Sequence, residues 1–485
     1  RDVERSRGLG DVYKRQILLF LASCNNDSDN IMSKEKISIE FAHLDILKKN
    51  KYKVTQNIAE ENLLLYLKNL QKNTSSRSEC KFSIIADGKL DMSLTSNSRS
   101  AILDSVGVYK FIVKEGTSEG FALISDDIRY PYVLAYSPQG SLADTLYNEG
   151  LAQYIRLLPI FLNKKISKVT EILGNRDKMS ELMNTYKAKY KSRANVIWGD
   201  PTTIPPDASD SLLNYPFVPL PEMTTTEQSG DTTFIYKGRL YVYPAGTEGD
   251  GTQSFFVPVK WGQGSPYNNN VPFQCGSGKA PVGCVAVAIA QIMAYHKYPP
   301  TYNWKLLTSK QRISQTAIED KERREEVARL MADIGQKVNM KYDCSGSGSN
   351  IYNANNAFIS YGYKTSGVQD YSEFSTYYSD PHTSFFTPAS FNAPFYMRGT
   401  NSNGEGHAFV VDGFFESFMV IVIVRDIWIK GAFTTTENVY AVPLSLFNTV
   451  VHFHINWGWD GYSDGYYDQV GLDFDNNKKL LKVEL

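Results

Sequence analysis

The sequence predicts an α+β fold that is divided into two folded units. Residues 25–195 carry a helical pattern, a pair of strand patterns and a second helical pattern. Residues 196–252 are dense in Pro, Thr, Ser, Asp and Gly, which is typical of loops and linkers. Residues 253–485 begin with an apolar helical stretch and continue mainly with strand patterns. Helices followed by antiparallel strands are the order expected of an α+β domain.

The composition is that of an ordinary globular protein. The 485 residues are 42% hydrophobic and 21% charged, and the formal net charge is −1. So small a net charge gives no reason to expect nucleic acid as a partner. The five cysteines form no CxxC pair and show no ligand spacing with histidine, so neither a metal nor another cofactor is predicted. Because the count is odd, we expect at least one thiol to be free, reactive or modified.

The first 24 residues are expected to lie outside the fold. Residues 1–16 resemble translated adapter sequence, and the short apolar run 17–22 resembles the remainder of an export signal. The letters LASC end at Cys24 and are similar to the lipobox of bacterial lipoproteins, in which the cysteine is lipidated. This interpretation makes the protein an outer-membrane or cell-surface lipoprotein that contacts the membrane only through its lipid. An ordinary signal remnant or a chance apolar run is the alternative.

The N-terminal unit has the patterns of a core but no catalytic set of its own. Residues 57–72 have apolar side chains at helical spacing, and residues 106–127 predict two strands joined by a turn that contains glycine. Residues 146–166 predict a second helix, which Pro159 is expected to break.

The C-terminal unit is predicted to start with helices and to end with strands. Residues 284–296 are apolar throughout, as in a buried helix, and residues 322–340 are amphipathic. Strand patterns follow at 406–415, 418–424 and 450–459, the second of them apolar enough to be buried.

A single cysteine stands between a glycine and the apolar helix. Cys284 is either a small core residue or a nucleophile at a helix N-terminus. The partial positive charge of a helix N-terminus lowers the pKa of a thiol, and a neighbouring imidazolium lowers it further. On the second interpretation, Cys284 reacts with alkylating agents faster than Cys80, Cys275 or Cys344.

A cysteine nucleophile needs a base that takes its proton. His407 is the candidate among the six histidines, because it begins a strand pattern close behind two glycines, which let other backbone approach closely. A strand-end histidine held by local hydrogen bonds is the alternative. His296 lies on the same helix as Cys284, three turns away, and is too distant to act as the base.

The base needs a group that orients its ring, and an oxyanion needs hydrogen-bond donors. Asn456, with Trp457 directly after it, follows the last strand pattern and can supply the orienting group. Which of these two residues orients His407 is left open by the sequence. The N–H of Cys284 and the side-chain amide of Gln263 are the candidate donors to the oxyanion.

Four ordered motifs resemble the streptopain family of papain-like cysteine proteases. They are WGQGSPYN (261–268), APVGCVAVAIAQIMAYHKYP (280–299), GHAFVVDGF (406–414) and HINWGWDGYSDGYY (454–467). The separation of 123 residues between Cys284 and His407 is near the roughly 130–150 of the papain pattern. Residues 120–142 are similar to the propeptide of that family.

The resemblance implies a papain-like protease domain over 253–485, preceded by a propeptide-like domain over 25–195. It places the nucleophile at Cys284, the base at His407 and substrate-backbone binding at Gly406. The motif CSGSGSN (344–350) resembles the family's substrate loop, in which Ser347 is the candidate residue.

The resemblance also implies an endopeptidase zymogen that acts on proteins or peptides. Its own propeptide would be the inhibitor in cis, and a cut within about 186–255 would activate the enzyme and release it from the lipid anchor. An insertion at 415–450 departs from the family pattern and could widen or cover the cleft. Two alternatives remain: an amidase or acyl-transferase that acts on cell-wall peptides with the same Cys–His pair, and a non-catalytic surface-binding lipoprotein.

Overall fold

The structure is a computed structural model, and it describes twelve segments of the chain. These are residues 53–73, 81–90, 106–127, 129–146, 148–173, 218–246, 252–254, 256–370, 393–400, 406–443, 450–468 and 478–485. Cys24, Cys80 and part of the region 186–255, where the activating cut is predicted, lie outside the described residues, so the predictions made for them are not addressed by the fold.

Helices and strands form separate runs along the described residues, as the α+β prediction requires. The α-helices are α1 Gln56–Asn73, α2 Glu149–Leu173, α3 Cys284–His296, α4 Trp304–Leu307, α5 Lys321–Lys337 and α6 Ile351–Ser360. The strands are β1 Phe82–Lys89, β2 Val108–Glu115, β3 Ser118–Ser125, β4 Val133–Ser137, β5 Val218–Ser229, β6 Thr232–Gly246, β7 Thr252–Ser254, β8 Gln274–Cys275, β9 Gly278–Lys279, β10 Lys364–Thr365, β11 Gln369–Asp370, β12 Phe395–Thr400, β13 Gly406–Ile429, β14 Ala432–Pro443, β15 Val450–Asn456, β16 Gly465–Tyr467, β17 Lys479–Leu481 and β18 Val483–Glu484.

The N-terminal unit packs two helices against a meander of four antiparallel strands. The predicted helix at 57–72 and the predicted strand pair at 106–127 are confirmed as α1, β2 and β3. The expected break at Pro159 is wrong, because α2 continues through it. Leu158 and Phe161 on either side are buried in the core, and this packing offsets the hydrogen bond that proline cannot donate.

A single antiparallel sheet runs through both units. Its strand order is β1-β2-β3-β4-β16-β15-β13-β12-β17-β11, so β4 of the N-terminal unit lies beside β16 of the C-terminal unit. The two strands pair at Tyr136↔Tyr466 and Ala135↔Tyr467. One buried apolar cluster contains residues of both units, among them Leu158 and Trp457. Strands β1–β4 of the N-terminal unit therefore extend the sheet of the C-terminal unit.

The segment predicted as a loop forms a β-hairpin over part of its length. β5 and β6 pair with each other across Gly230, and β6 then pairs with the outer half of β13, from Phe418 to Ile429. β14 pairs with the other edge of the same half, so the predicted insertion contributes β13 and β14 to an antiparallel arm. The loop prediction is wrong for 218–246. Its β-branched and aromatic residues favour a strand, but their pairing partner lies far along the chain.

In the C-terminal unit the helices pack against the sheet through one buried apolar cluster, which includes residues of β12 and β13. α3 is buried along nearly its whole length, and α5 packs against it with the apolar face that the sequence predicts. The strand at 418–424 is confirmed as part of β13. The burial predicted for its side chains lies outside what the structure describes. Among the described helices, none is long and apolar enough to cross a membrane.

Two cysteines of the C-terminal unit form a disulfide bond. Cys275 on β8 is bonded to Cys344 in the loop before α6, 69 residues later. Cys275 and Cys344 therefore drop out of the alkylation comparison with Cys284 that the sequence suggested. Within the described residues, Cys284 is the one cysteine that remains free.

Candidate active site

Cys284 lies at the first position of helix α3, as the sequence predicts. The preceding Gly283 has φ of 87°, in the left-handed region that favours glycine. A Cβ atom at this position would lie 2.6 Å from the carbonyl oxygen of Ser347 and 2.9 Å from Sδ of Met340. Gly283 is thus required by its backbone conformation and by the close approach of the 341–350 loop. No side chain caps the helix start.

The sulfur of Cys284 is buried and is contacted by backbone N–H groups. The N–H of Ala408 donates to Sγ at 3.4 Å, and the N–H of Val285 also stabilises the thiolate. Burial nevertheless dominates and raises the pKa of the thiol above its ordinary value, because a buried charge is costly. The predicted lowering of the pKa is therefore wrong for the chain in this state, with its N-terminal unit docked.

His407 lies on β13 beside the nucleophile, since the N–H that reaches the sulfur belongs to the next residue, Ala408. Its Nε2 donates to the carbonyl oxygen of Trp457 at 2.9 Å, and its buried Nδ1 has no hydrogen-bond partner among the described residues. The ring stacks with those of Phe409 and Trp459, with centroids 6.4 and 6.5 Å away. Burial lowers the pKa of His407, so the neutral imidazole is favoured.

A backbone carbonyl of Trp457, and not the side chain of Asn456, holds the ring of His407. Asn456 Oδ1 accepts from Gln291 Nε2 at 2.9 Å and from the N–H of Gly458 at 3.1 Å. Its Nδ2 donates to the carbonyl of Val259 at 3.4 Å. Asn456 therefore fixes the turn that follows β15, and through that turn it positions Trp457.

The other predicted residues surround Cys284. The N–H of Val282 donates to the carbonyl of Gln263 at 2.9 Å, which brings the buried Gln263 close to the helix start. Gly406 begins β13, where a Cβ atom would lie 2.7 Å from the carbonyl oxygen of Gly399. Ser347 is buried next to Gly283. The fold thus brings all the predicted residues of this unit together, while their chemical roles stay predictions.

Three further residues that build the site were not identified from the sequence. Gln291 is polar within an otherwise apolar helix, two turns after Cys284, and that contrast is a usable signal for a buried hydrogen bond. Asp464 accepts from the N–H of Trp457 at 2.9 Å, and burial raises the pKa of this carboxyl to about 7. Trp459 stacks with His407, and its position two residues after Trp457 carries no separate signal.

The N-terminus of helix α2 reaches His407 and Trp457 from the N-terminal unit. A Cβ atom on Gly150 would lie 2.4 Å from Cε3 of Trp457 and 2.8 Å from Cδ2 of His407. The neighbouring Glu149 is close enough for its negative charge to add to the effect of burial on the pKa of Cys284. The first turn of α2 thus packs directly on the rings of His407 and Trp457.

Additional contacts dock the N-terminal unit beside the site. His452 Nε2 donates to the carbonyl of Val133 at 2.6 Å, and its ring lies 5.0 Å from that of Tyr66. Ser137 Oγ donates to the carbonyl of Asp464 at 2.7 Å. Burial lowers the pKa of His452 to about 4. Within the described segments, no three His, Cys, Asp or Glu side chains are grouped so that they could hold a metal ion.

The helix-borne thiol, the strand-borne imidazole and the α+β unit docked over them define a class: a papain-like cysteine peptidase domain with a propeptide. Residues 261–467 match the Peptidase C10 family, and residues 51–158 match the Spi protease inhibitor family. The chain therefore combines a Peptidase C10 domain with an inhibitor-type propeptide domain, which confirms the streptopain-like resemblance.

Known relatives share parts of this arrangement. Streptopain of Streptococcus pyogenes is 27% identical over 250 residues, which cover 43% of this chain and 53% of that protein. The thiol protease/hemagglutinin PrtT of Porphyromonas gingivalis is 22% identical over 393 residues, which cover 74% of this chain and 33% of that protein. The chain thus spans about half the length of the streptopain that it matches.

Two solved structures from Prevotella intermedia are also similar to this chain. A fragment of prointerpain A has a TM-score of 0.42 at 17% identity, covering 82% of this chain and 98% of that chain. Active interpain A has a TM-score of 0.32 at 22% identity, covering 48% of this chain and 94% of that chain.

Proposed function

We propose that the protein is the zymogen of a cysteine endopeptidase, with Cys284 as nucleophile and His407 as base. The observation that carries this proposal is the position of the two residues. The N–H of Ala408, adjacent to His407, contacts the Cys284 sulfur, and an unpartnered Nδ1 leaves the imidazole able to accept a proton. Acyl transfer by a serine or cysteine nucleophile requires that the nucleophile and its base lie close together.

The reaction proceeds through an acyl-thioester. The Cys284 sulfur attacks the substrate carbonyl as its proton passes to His407, and His407 then protonates the amine that leaves as the peptide C–N bond breaks. Water then hydrolyses the thioester, which releases the acyl product and regenerates the Cys284 thiol. The Gln263 amide and the Cys284 N–H are the proposed donors to the oxyanion. Trp457 holds the imidazole through its carbonyl, which keeps Nε2 as the donor and Nδ1 as the acceptor.

The N-terminal unit is the proposed inhibitor in cis. Gly150 packs on His407 and Trp457, and a domain that is tethered to its target binds at a high effective concentration. With the unit docked, burial disfavours both charges of the thiolate–imidazolium pair, since it raises the pKa of Cys284 and lowers that of His407. Removal of the unit readmits solvent and allows the pair to ionise.

The test compares the full chain before and after activation by limited proteolysis, on casein and on a fluorogenic peptide. Hydrolysis by the cleaved chain and none by its Cys284→Ala variant is the expected result. The same samples are incubated with cell-wall peptides, because amide cleavage confined to that substrate would favour the amidase alternative. A cleaved, folded chain that hydrolyses neither protein nor peptide would refute the proposed endopeptidase.

We also propose export as a lipoprotein with the lipid on Cys24, so that the activating cut frees the catalytic domain and leaves the propeptide anchored. Support comes from the LASC motif and the polar residues that follow it. Incorporation of labelled fatty acid should be lost in Cys24→Ala. A catalytic fragment that stays with the membrane after the cut would rule out release.

A further inference from the structure

The loop 341–350 forms one wall beside Cys284 and is held mainly by its own hydrogen bonds. Lys341 and Gly348 exchange two backbone hydrogen bonds, of 3.0 and 3.1 Å. Asp343 Oδ1 accepts from the N–H and from the hydroxyl of Ser345, at 2.8 and 2.6 Å. These bonds fix the shape of the outer part of the loop, whereas Ser349 Oγ donates to the carbonyl of Val338 and ties the inner end to the end of α5.

The inner side of this loop lies against the residue that precedes the nucleophile. The carbonyl oxygen of Ser347 is so close to Gly283 that a Cβ atom there would approach it to 2.6 Å. Ser347 is buried, whereas Cys344 at the outer end of the loop is exposed. A displacement of the loop would therefore change the space next to the Cys284 sulfur.

The disulfide Cys275–Cys344 joins the outer end of this loop to the hairpin β8–β9. That hairpin is fixed to the core of the site. The N–H of Ala280 donates to the carbonyl of Phe273 at 3.0 Å, and Asn268 Nδ2 donates to the carbonyls of Lys279 and Ala280. The chain then runs directly to the start of α3. The bond thus connects the loop covalently to the segment that carries the nucleophile.

We propose that the Cys275–Cys344 disulfide is a positioning element of the substrate cleft. It holds the 341–350 loop at the distance from Cys284 at which the loop can bind extended substrate. This role rests on the proposed peptidase function. Loss of the bond leaves the thiol and His407 unchanged but lets the loop move, so substrate binding weakens while the chemical step is retained.

The test uses the full chain after activation by limited proteolysis, as wild type and as Cys275→Ser/Cys344→Ser. Ser277→Ala is the matched control, because Ser277 is exposed on the turn of the same hairpin. KM and kcat are measured on a peptide that extends to both sides of the scissile bond. Hydrogen exchange of peptides covering 341–350 is followed in parallel, which needs no activity.

The double variant should raise KM about tenfold with kcat within about twofold, since misplaced binding groups weaken binding before chemistry. Exchange at Lys341 and Gly348 should become faster, and Ser277→Ala should match wild type. An unchanged KM, a loss confined to kcat, or unchanged exchange would each overturn the positioning role.

Two further outcomes are distinguishable from these. If wild type hydrolyses nothing, the proposed function fails and the hydrogen exchange alone decides the role of the disulfide. If the double variant does not fold, both readouts are taken on wild type treated with a dithiol. The dithiol closes into a cyclic disulfide as Cys275 and Cys344 become thiols, and an unaltered KM and exchange would again overturn the proposal.

Discussion

Among the described residues, the ring of His407 makes one hydrogen bond, from Nε2 to the carbonyl oxygen of Trp457 at 2.9 Å. That bond fixes the tautomer in which Nδ1 carries the lone pair. A buried nitrogen without a partner is costly in a folded protein unless a function requires it. The cost is understandable if Nδ1 receives the proton of Cys284 during catalysis.

Replacing the base should abolish turnover without unfolding the protein. His407→Ala in the cleaved chain should lower kcat by about 10²–10⁴-fold, because the thiol loses the group that takes its proton. His454→Ala is the control, since the Nδ1 of His454 is hydrogen-bonded to Oδ1 of Asp412 at 2.5 Å and, in the described part of the chain, His454 does not contact Cys284. Peptide hydrolysis is the measurement. If His454→Ala were inactive and His407→Ala active, the assignment of His407 as the base would be wrong.

Single residues differ in how far the sequence could predict them. Cys284 and His407 could be predicted because each stands at a recognisable junction, a glycine before an apolar helix and a glycine pair before a strand. The contact from Trp457 to His407 could not, because it is made by a carbonyl, and every residue has one. The disulfide was missed because spacing alone does not define cysteine connectivity.

At the scale of elements, helix α2 is the part of the N-terminal unit that meets the catalytic residues. Its N-terminus packs on His407 and Trp457 through Gly150, where no side chain fits. The helix continues through Pro159, so its first turn belongs to one long, partly buried helix. The sequence predicts this helix but not its contact, since the contact joins residues of different units.

Adding a side chain at Gly150 should weaken the docking of the N-terminal unit on His407 and Trp457. Gly150→Ala places a methyl group within about 2.4 Å of the Trp457 ring, and overpacking of this kind costs about 1–3 kcal/mol. The uncut chain should then show roughly tenfold more peptide hydrolysis than uncut wild type. Ile160→Ala serves as the control, because Ile160 lies on the same helix and is exposed. Equal background activity in all three chains would mean that the first turn of α2 does not close the site.

The β5–β6 hairpin shows why the segment after the N-terminal unit could not be predicted. Its sequence is rich in turn-forming residues at both ends, which indicates a loop. The strand state becomes stable only because β6 pairs with β13, a strand that begins 160 residues after β6 ends. Pairing over such a separation leaves no local pattern in the sequence.

At the scale of the whole molecule, the two units share one sheet and one apolar cluster, so docking should respond to conditions at their boundary. His452 lies at that boundary, with its Nε2 bonded to the carbonyl of Val133 and its ring against Tyr66. Burial lowers its pKa to about 4, while an exposed histidine titrates near 6.5.

Acid should therefore weaken the docking of the N-terminal unit. Because the docked pKa is the lower one, the contribution of His452 is present above pH of about 6.5 and is lost as the pH falls toward about 4. After the activating cut, the dissociation constant of the propeptide fragment should rise roughly tenfold or more between pH 7 and pH 5. His452→Gln keeps a neutral donor for Val133 and should flatten this dependence. A wild-type constant that does not change over this interval would contradict the assignment.

The most direct test of latency is the rate at which iodoacetamide modifies Cys284 at pH 6, read by peptide-resolved mass spectrometry in uncut and cleaved chains. Burial raises the pKa of the thiol, and the charge of Glu149 from the N-terminal unit adds to this, so little thiolate is available in the uncut chain. We predict modification at least about tenfold faster once the unit is cleaved and removed, which corresponds to a fall of one unit in the pKa. Equal rates in the two chains would contradict the claim that the N-terminal unit silences Cys284.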